Sequence, residues 1–233
     1  MSESLYIAIP CHNRKAITAL CVPTVKSGIA PQDRMVLYND GSDEYGPDFL
    51  LRMEPGTVVG SKNLGIEQQR RAHFLHFIST SFDFLYLTDS DALHDPGWRA
   101  EALRLHRKYD GAPVCLYNTP AHANMPGNTI EESDDVIWRK VAPGVSYLLS
   151  REHARKVCEA LPHLPSHWNW DWQTPAILGH RMAVSKVSYV DHIGKGGLHH
   201  PLAEGYDGGD RAINPTPWLI EKRAEVVAKL KAQ

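Results

Sequence analysis

The sequence predicts an α/β fold: one domain with a mostly parallel central sheet flanked by helices. Three observations predict it. Short apolar runs of strand length alternate with longer segments of helix-forming residues, the pattern of parallel strands joined by crossover helices. Three of those runs stop in loops bearing Asn or Asp, and open α/β sheets bind ligands just outside the carboxyl ends of their strands. A chain of 233 residues, 42% hydrophobic and 22% charged, is long enough for one sizeable core and carries no signature of disorder.

Leu5-Tyr6-Ile7-Ala8-Ile9-Pro10 reads as a buried first strand, closed by proline and followed by the polar loop Cys11-His12-Asn13-Arg14. Ile17 to Val25 reads as a helix whose end Pro23 blurs. Arg34 to Tyr38 is a second strand, stopped by the turn signal Asn39-Asp40-Gly41-Ser42. Thr57 to Val59 is a short third strand, and Leu64 to Ser79 has helical length and composition. Phe84 to Leu87 is a fourth strand, running into Thr88-Asp89-Ser90-Asp91; His94-Asp95-Pro96-Gly97 reads as turn chemistry. The second half is less regular. Pro113 to Tyr117 and Gly144 to Leu149 read as strands, Arg151 to Leu161 as a helix and Val184 to Val190 as a further strand. Residues 118–135 read as a long loop or lid and Pro201 to Pro217 as loop. Trp218 to Ala232 reads as an amphipathic helix that packs on the domain or touches a membrane surface. There is no internal repeat, low-complexity tract or linker.

A net charge of −2 and a pI near 6.7 create no global field for nucleic acid or anionic membrane. Cys11, Cys21, Cys115 and Cys158 are scattered without metal-type spacing, as expected of free thiols in a reducing compartment. No basic-then-apolar leader opens the chain and no apolar run approaches membrane-spanning length, so the expectation is a soluble, cytoplasmic protein.

Asp89 and Asp91 carry the chemistry. Side chains at i and i+2 of an extended segment point the same way, so two carboxylates meet at the end of a buried strand. They repel unless a cation lies between them, and a hard divalent ion with oxygen ligands, bound together with substrate phosphates, answers that need. The plainer reading of Asp-Ser-Asp is a polar turn or helix cap.

The order of motifs resembles the GT-A fold glycosyltransferases, most nearly those of family 2. Four pieces carry the resemblance across roughly residues 5–98: Ile7 to Arg14, similar to the opening strand and "P-x-x-N-R" loop; Asn39-Asp40-Gly41-Ser42, similar to "D-D-G-S" with Asn39 for the first acid; Asn63-Leu64-Gly65 with Arg70, similar to "N-x-G-x-x-x-A-R" with Gln69 where alanine is common; and Asp89-Ser90-Asp91, the "D-x-D". Later, Trp170-Asp171 falls where an acidic pair is usual, and Asp191-His192-Ile193-Gly194 with His199 resembles a late "H-I-G" segment.

The resemblance implies a single Rossmann-like GT-A domain over residues 1–233, with 1–98 as the nucleotide-sugar half and 99–233 as the acceptor half ending in the C-terminal helix. It implies a nucleoside-diphosphate sugar donor, a UDP-sugar foremost, and Mn²⁺ or Mg²⁺. Asp40 would accept from the base; Pro10, Asn13, Arg14 and Asn63 would line the nucleotide. Arg70 would bridge toward diphosphate, a geometry arginine suits, with Arg71 beside it as the weaker candidate. Asp91 would bind the metal, with Asp89 on ribose or on metal through water. His192 or His199 would complete the coordination, imidazole favouring Mn²⁺ over Mg²⁺, with His200 a neighbour. Lys195, in Gly194-Lys195-Gly196-Gly197, would contact phosphate. Asp171 would be the general base of an inverting transfer, between Trp170 and Trp172, which exclude water or stack on a ring.

The acceptor stays open among glycans, lipid-linked sugars and, less favoured, a modified base in nucleic acid, which no basic stripe supports. Two other readings stand beside transfer: nucleotidyl transfer to a sugar phosphate, against which counts the lack of a glycine-rich, lysine-bearing loop after the first strand, and a non-catalytic carbohydrate- or nucleotide-binding module.

Overall fold

The computed structural model describes residues 3–60, 62–194 and 211–232. Strand β1 (Leu5–Cys11) is buried at every position but Pro10, as a strand covered on both faces must be. It pairs in parallel with β2 (Arg34–Asn39) on one side and β4 (Phe84–Thr88) on the other. Pro10 lies beyond the last residue paired with β4, so its missing N–H costs that ladder nothing. Helix α1 (Lys15–Lys26) makes the first crossover; Pro23 sits inside it, flanked by Val22, Thr24 and Val25, which are buried. After β2 come α2 (Pro47–Met53), which the sequence reading does not assign, and β3 (Val58–Val59), an exposed edge strand parallel to β2. Helix α3 (Ile66–Ile78) leads back to β4. Beyond it lie β5 (Ala92–His94), which the sequence reading does not assign, the expected turn at Pro96–Gly97, and α4 (Trp98–Lys108).

The second half supplies β6 (Val114–Cys115), α5 (Pro120–Ala123), β7 (Thr129–Glu132), β8 (Val136–Arg139), β9 (Ser146–Ser150), α6 (Arg151–Ala160), α7 (Trp170–Ile177), β10 (Met182–Ser185), β11 (Val190–His192) and α8 (Pro217–Lys231). Among the described residues nine strands form one sheet in the order β3-β2-β1-β4-β9-β6-β10-β8-β7. The β3-β2-β1-β4 half is wholly parallel; β9 then enters antiparallel to both β4 and β6, β10 runs parallel to β6, and β8 and β7 return antiparallel.

Two readings of the second half change. Residues 118–135 are not a bare loop: they hold α5 and β7, and β7 pairs with β8 at the sheet edge. All four β7 residues are exposed, so no apolar alternation marks the strand and its order comes from its partner. Val184 to Val190 is not one strand. It is divided between β10, in the large sheet, and β11, which pairs antiparallel with β5 in a separate two-stranded sheet.

That small sheet rests on a second apolar cluster, in which Leu219, Val226 and Leu230 of α8 meet Ile17 and Cys21 of α1, Leu93 of β5 and Ile193. The apolar face of α8 is therefore consumed by packing. Among the described residues no helix is long and apolar enough to cross a membrane. All four cysteines are free, with Cys11, Cys21 and Cys115 buried.

Two histidines of the interior make stability pH-dependent. His94 is 0% exposed, its Nε2 lying 3.0 Å from the Tyr86 hydroxyl and 3.2 Å from Thr88 Oγ1, and burial pushes its pKa down to about 3. His73 is 0% exposed and burial, with Arg70 beside it, holds it well below the usual range. Both stay neutral in the fold while the unfolded chain takes up their protons below pH ~6.5, so their contribution is complete above that pH and is lost as pH falls. Each should remove about 1.4 kcal/mol per pH unit. Urea unfolding between pH 6.5 and 4.5 should therefore show a loss on the order of 5 kcal/mol from this pair; a flat profile would contradict the assignment.

Candidate active site

The parallel strands β1, β2 and β4 deliver three loops to one edge of the sheet: His12 to Arg14, Asp40 to Ser42, and Asp89 to Asp91. The two aspartates fall together, but through a turn after the end of β4 at Thr88 rather than on the extended segment their spacing suggests. Pairing of β11 with β5 sets His192 opposite Ala92, one residue past Asp91. One oxygen from each of Asp89 and Asp91 and a ring nitrogen of His192 lie within 4.8 Å of one another.

Each group has a charged partner. Asp91 accepts from Arg14 Nη1 at Oδ2, and its Oδ1 lies 3.0 Å from His192 Nε2. Asp89 Oδ1 lies 2.5 Å from Arg70 Nη2. Burial penalises the Asp91 carboxylate, yet His192 and Arg14 outweigh it and bring the pKa down. Burial also opposes the imidazolium, but Asp91, with Asp89 behind it, lifts His192 to about 9. Burial raises Asp89, aided by Asp91 and Asp171 and opposed by Arg70. Arg14 and a protonated His192 thus supply the positive charge that the paired carboxylates require.

This donor set fits a divalent cation. Two carboxylates and an imidazole are oxygen and nitrogen donors of the kind such an ion takes, and they close on Gly194, where a Cβ would stand 2.6 Å from Asp91 Oδ2 and 2.5 Å from His192 Cε1, so only glycine leaves both side chains in place. Gly194→Ala should weaken Mn²⁺ binding by about tenfold or more, since the methyl group forces one ligand aside; titration calorimetry reads this directly, and unchanged affinity would place the ion elsewhere.

The first two loops are tied together. Asn13 and Arg14 both adopt left-handed backbone (φ 52° and 55°), a conformation that costs energy away from glycine. Asn13 Oδ1 secures the bend by accepting from the backbone N–H groups of Asp43 (2.9 Å) and Glu44 (3.1 Å). The bend turns Arg14 toward Asp91. Asp40 is 4% exposed and accepts from Leu64 N (2.7 Å), Gly65 N (3.0 Å) and Gln69 Nε2 (2.8 Å). Asn63 Nδ2 lies 3.1 Å from His12 Nε2, and His12 Nδ1 lies 3.0 Å from Asp40 O. Gln69, noted in the sequence only as a departure, is the side chain that binds Asp40 to α3.

Arg70 is 0% exposed. It reaches Asp89 and the carbonyl of Thr88 (3.2 Å), and its guanidinium carbon lies 4.3 Å from the ring centre of Trp170. Trp170 meets Tyr147 edge-on at 5.5 Å and is seated against Gly144, where a Cβ would come within 2.3 Å of its ring. Asp171 follows in the first turn of α7. Its backbone carbonyl accepts from the Tyr147 hydroxyl at 3.1 Å, and its charge is felt by both Arg70 and Asp89. Trp172 is 47% exposed. Arg71 points elsewhere and donates to the carbonyls of Leu161, Leu164 and Pro165 at 2.7, 3.0 and 2.8 Å. Lys195, His199 and His200 lie outside the described residues. A cavity of about 530 Å³ bordered by Tyr109, Trp138 and Arg181 lies at the other edge, where β6 begins, and touches none of these residues.

The chain shares this helix-flanked sheet with solved glycosyltransferases of the GT-A fold. The chain is similar to the mannosyltransferase PcManGT from Pyrobaculum calidifontis, solved with GDP-Man and Mn²⁺, at a TM-score of 0.61 and 16% identity over 98% of this chain and 75% of that one. It is similar to S. aureus TarS 1-349 at a TM-score of 0.60 and 10% identity over 80% of this chain, and spans 59% of that structure's length. The complex of TarS 1-349 with UDP-GlcNAc gives a TM-score of 0.59 and 14% identity over 86% and 61% of the two chains. At these identities the likeness establishes the fold. No protein-family model matches the chain, and no curated protein matches it.

Proposed function

We propose that the protein is a metal-dependent glycosyltransferase that moves a sugar from a nucleoside-diphosphate sugar, a UDP-sugar foremost, to an acceptor hydroxyl. The observation that carries this is the gathering of Asp89, Asp91 and His192 within 4.8 Å at the carboxyl edge of a GT-A sheet. Ligands of the similar structures, UDP-GlcNAc in one and GDP-Man with Mn²⁺ in another, support it.

Asp91 and His192 would hold the divalent cation, with Asp89 beside them. That ion supplies Lewis-acid stabilisation of the departing diphosphate. His192 would serve as a ligand in its neutral form, its proton released to solvent, and Arg14 would be left to pair with the diphosphate oxygens. Arg70 stays buried, holds Asp89 in place and rests on Trp170. Asp171 takes the proton of the acceptor hydroxyl as its oxygen attacks the anomeric carbon, giving inversion. Residues 1–98 bind the donor through Pro10, Asn13, Asp40 and Asn63, and residues 99–233 the acceptor, a glycan or lipid-linked sugar, with the exposed Trp172 as a stacking surface. Lys195 and His199 are retained as candidates for phosphate and metal.

Thermal unfolding with Mn²⁺ and each of UDP, GDP, CDP and ADP tests the reading, because a ligand specific to the folded state stabilises it by about 2.7 kcal/mol at a hundred times its Kd. One diphosphate should raise Tm only when Mn²⁺ is present. No shift with any of the four would remove the reading.

A further inference from the structure

Helix α8 carries an arginine inside its apolar stripe. Leu219, Arg223, Val226 and Leu230 follow at spacings of four, three and four residues, and so share one helix face. The three apolar members pack in the second cluster. Arg223, 8% exposed, is buried beside them, where an ion pair costs desolvation that an apolar residue of similar volume would avoid.

Arg223 serves the strand that carries His192. Its Nη1 donates to Asp191 Oδ2 at 2.7 Å and to the carbonyl of His192 at 3.0 Å. Asp191, 3% exposed, accepts through Oδ1 from the backbone N–H of His192 (3.1 Å) and of Ala212 (2.9 Å). From the opposite side, Ile193 N donates to the carbonyl of Asp91 at 2.9 Å. Both polar backbone groups of His192 are thereby tied to one buried ion pair, while its ring faces Asp91.

We propose that Arg223 is a positioning residue: through Asp191 it fixes the backbone of His192 so that the imidazole is presented to the metal-binding carboxylates, making α8 part of the functional assembly. This rests on the reading of His192 as a metal ligand. Groups that orient a ligand from behind commonly matter 10–100-fold for metal affinity.

The test is Mn²⁺ titration calorimetry on the full chain, with the electron paramagnetic resonance signal of bound Mn²⁺ as a second readout. Arg223→Met should weaken Mn²⁺ binding about 10–100-fold, and Arg223→Lys, which keeps the charge but not the fork, by an intermediate factor. Leu230→Ala trims the same helix face away from Asp191; it should lower Tm while leaving Mn²⁺ affinity within about twofold. Wild-type affinity in Arg223→Met, or in Arg223→Lys should the former fail to fold, would overturn the proposal. So would an equal loss in Leu230→Ala, which would mark a general docking effect. Absence of Mn²⁺ binding in the wild type would overturn the metal reading and the proposal with it.

Discussion

Asp91→Asn should lose Mn²⁺-dependent stabilisation by nucleotide and lower the transfer rate by about a thousandfold, within the range expected when charge stabilisation at a reacting phosphate is removed. Asparagine keeps the volume of the side chain, so the fold around it survives. What it removes is the anion between Arg14 and His192, at a side chain only 8% exposed. The wild-type His192 pKa is raised to about 9, so its pairing with Asp91 stabilises the fold fully below pH ~6.5 and is lost as pH rises through about 9. In Asp91→Asn that dependence should shrink, because only the more distant charge of Asp89 remains to favour the imidazolium. Urea unfolding at pH 6 should show the variant weaker than wild type by on the order of 3 kcal/mol, narrowing by pH 9.5. A variant that keeps its Mn²⁺ response would mean that the ion binds elsewhere.

Asp171→Asn should separate catalysis from binding. Loss of a general base costs about 10²–10⁴ in kcat. Donor affinity should change little, although the charge of the side chain is felt by Arg70 and Asp89. The substitution is nearly isosteric, and Tyr147 bonds the backbone carbonyl of residue 171 rather than its side chain. Initial rates near wild type would discard Asp171 as the base, and a large rise in donor KM at constant kcat would move it to the nucleotide.

Legibility followed locality. Asp89 and Asp91 were readable as neighbouring carboxylates at a strand end, but not their geometry: β4 stops at Thr88, and Ser90 and Asp91 lie in a turn rather than on an extended segment. Asn13, Arg14 and Asp40 were readable as loop residues at strand ends, but not what each would touch. Asp40 bonds Gln69 and the Leu64–Gly65 backbone, partners set by how α3 docks beside β2. Arg70 sits two residues before Ala72 on α3, and helix periodicity alone cannot say whether it meets solvent or Trp170. Gly194 could be seen only as a glycine-rich loop member; its close approach to Asp91 is a contact across the chain. Strand β7 escaped because four exposed side chains leave no pattern, and order there comes from hydrogen bonds to β8.

By itself the sequence determined the α/β class, the parallel order of the first four strands' connections and the polar loops that follow them. Buried runs, helix-length crossovers and turn residues are local properties, and each is written within a dozen residues. The tertiary structure alone decided that His192 is the described histidine that meets the carboxylates, that Arg70 backs Asp89, and that a helix at the far end of the chain stands behind the site through Arg223. Those choices depend on the register of β11 against β5 and on which helix face packs where, and such long-range pairings are selected by the energy of the whole fold rather than by any segment's propensity.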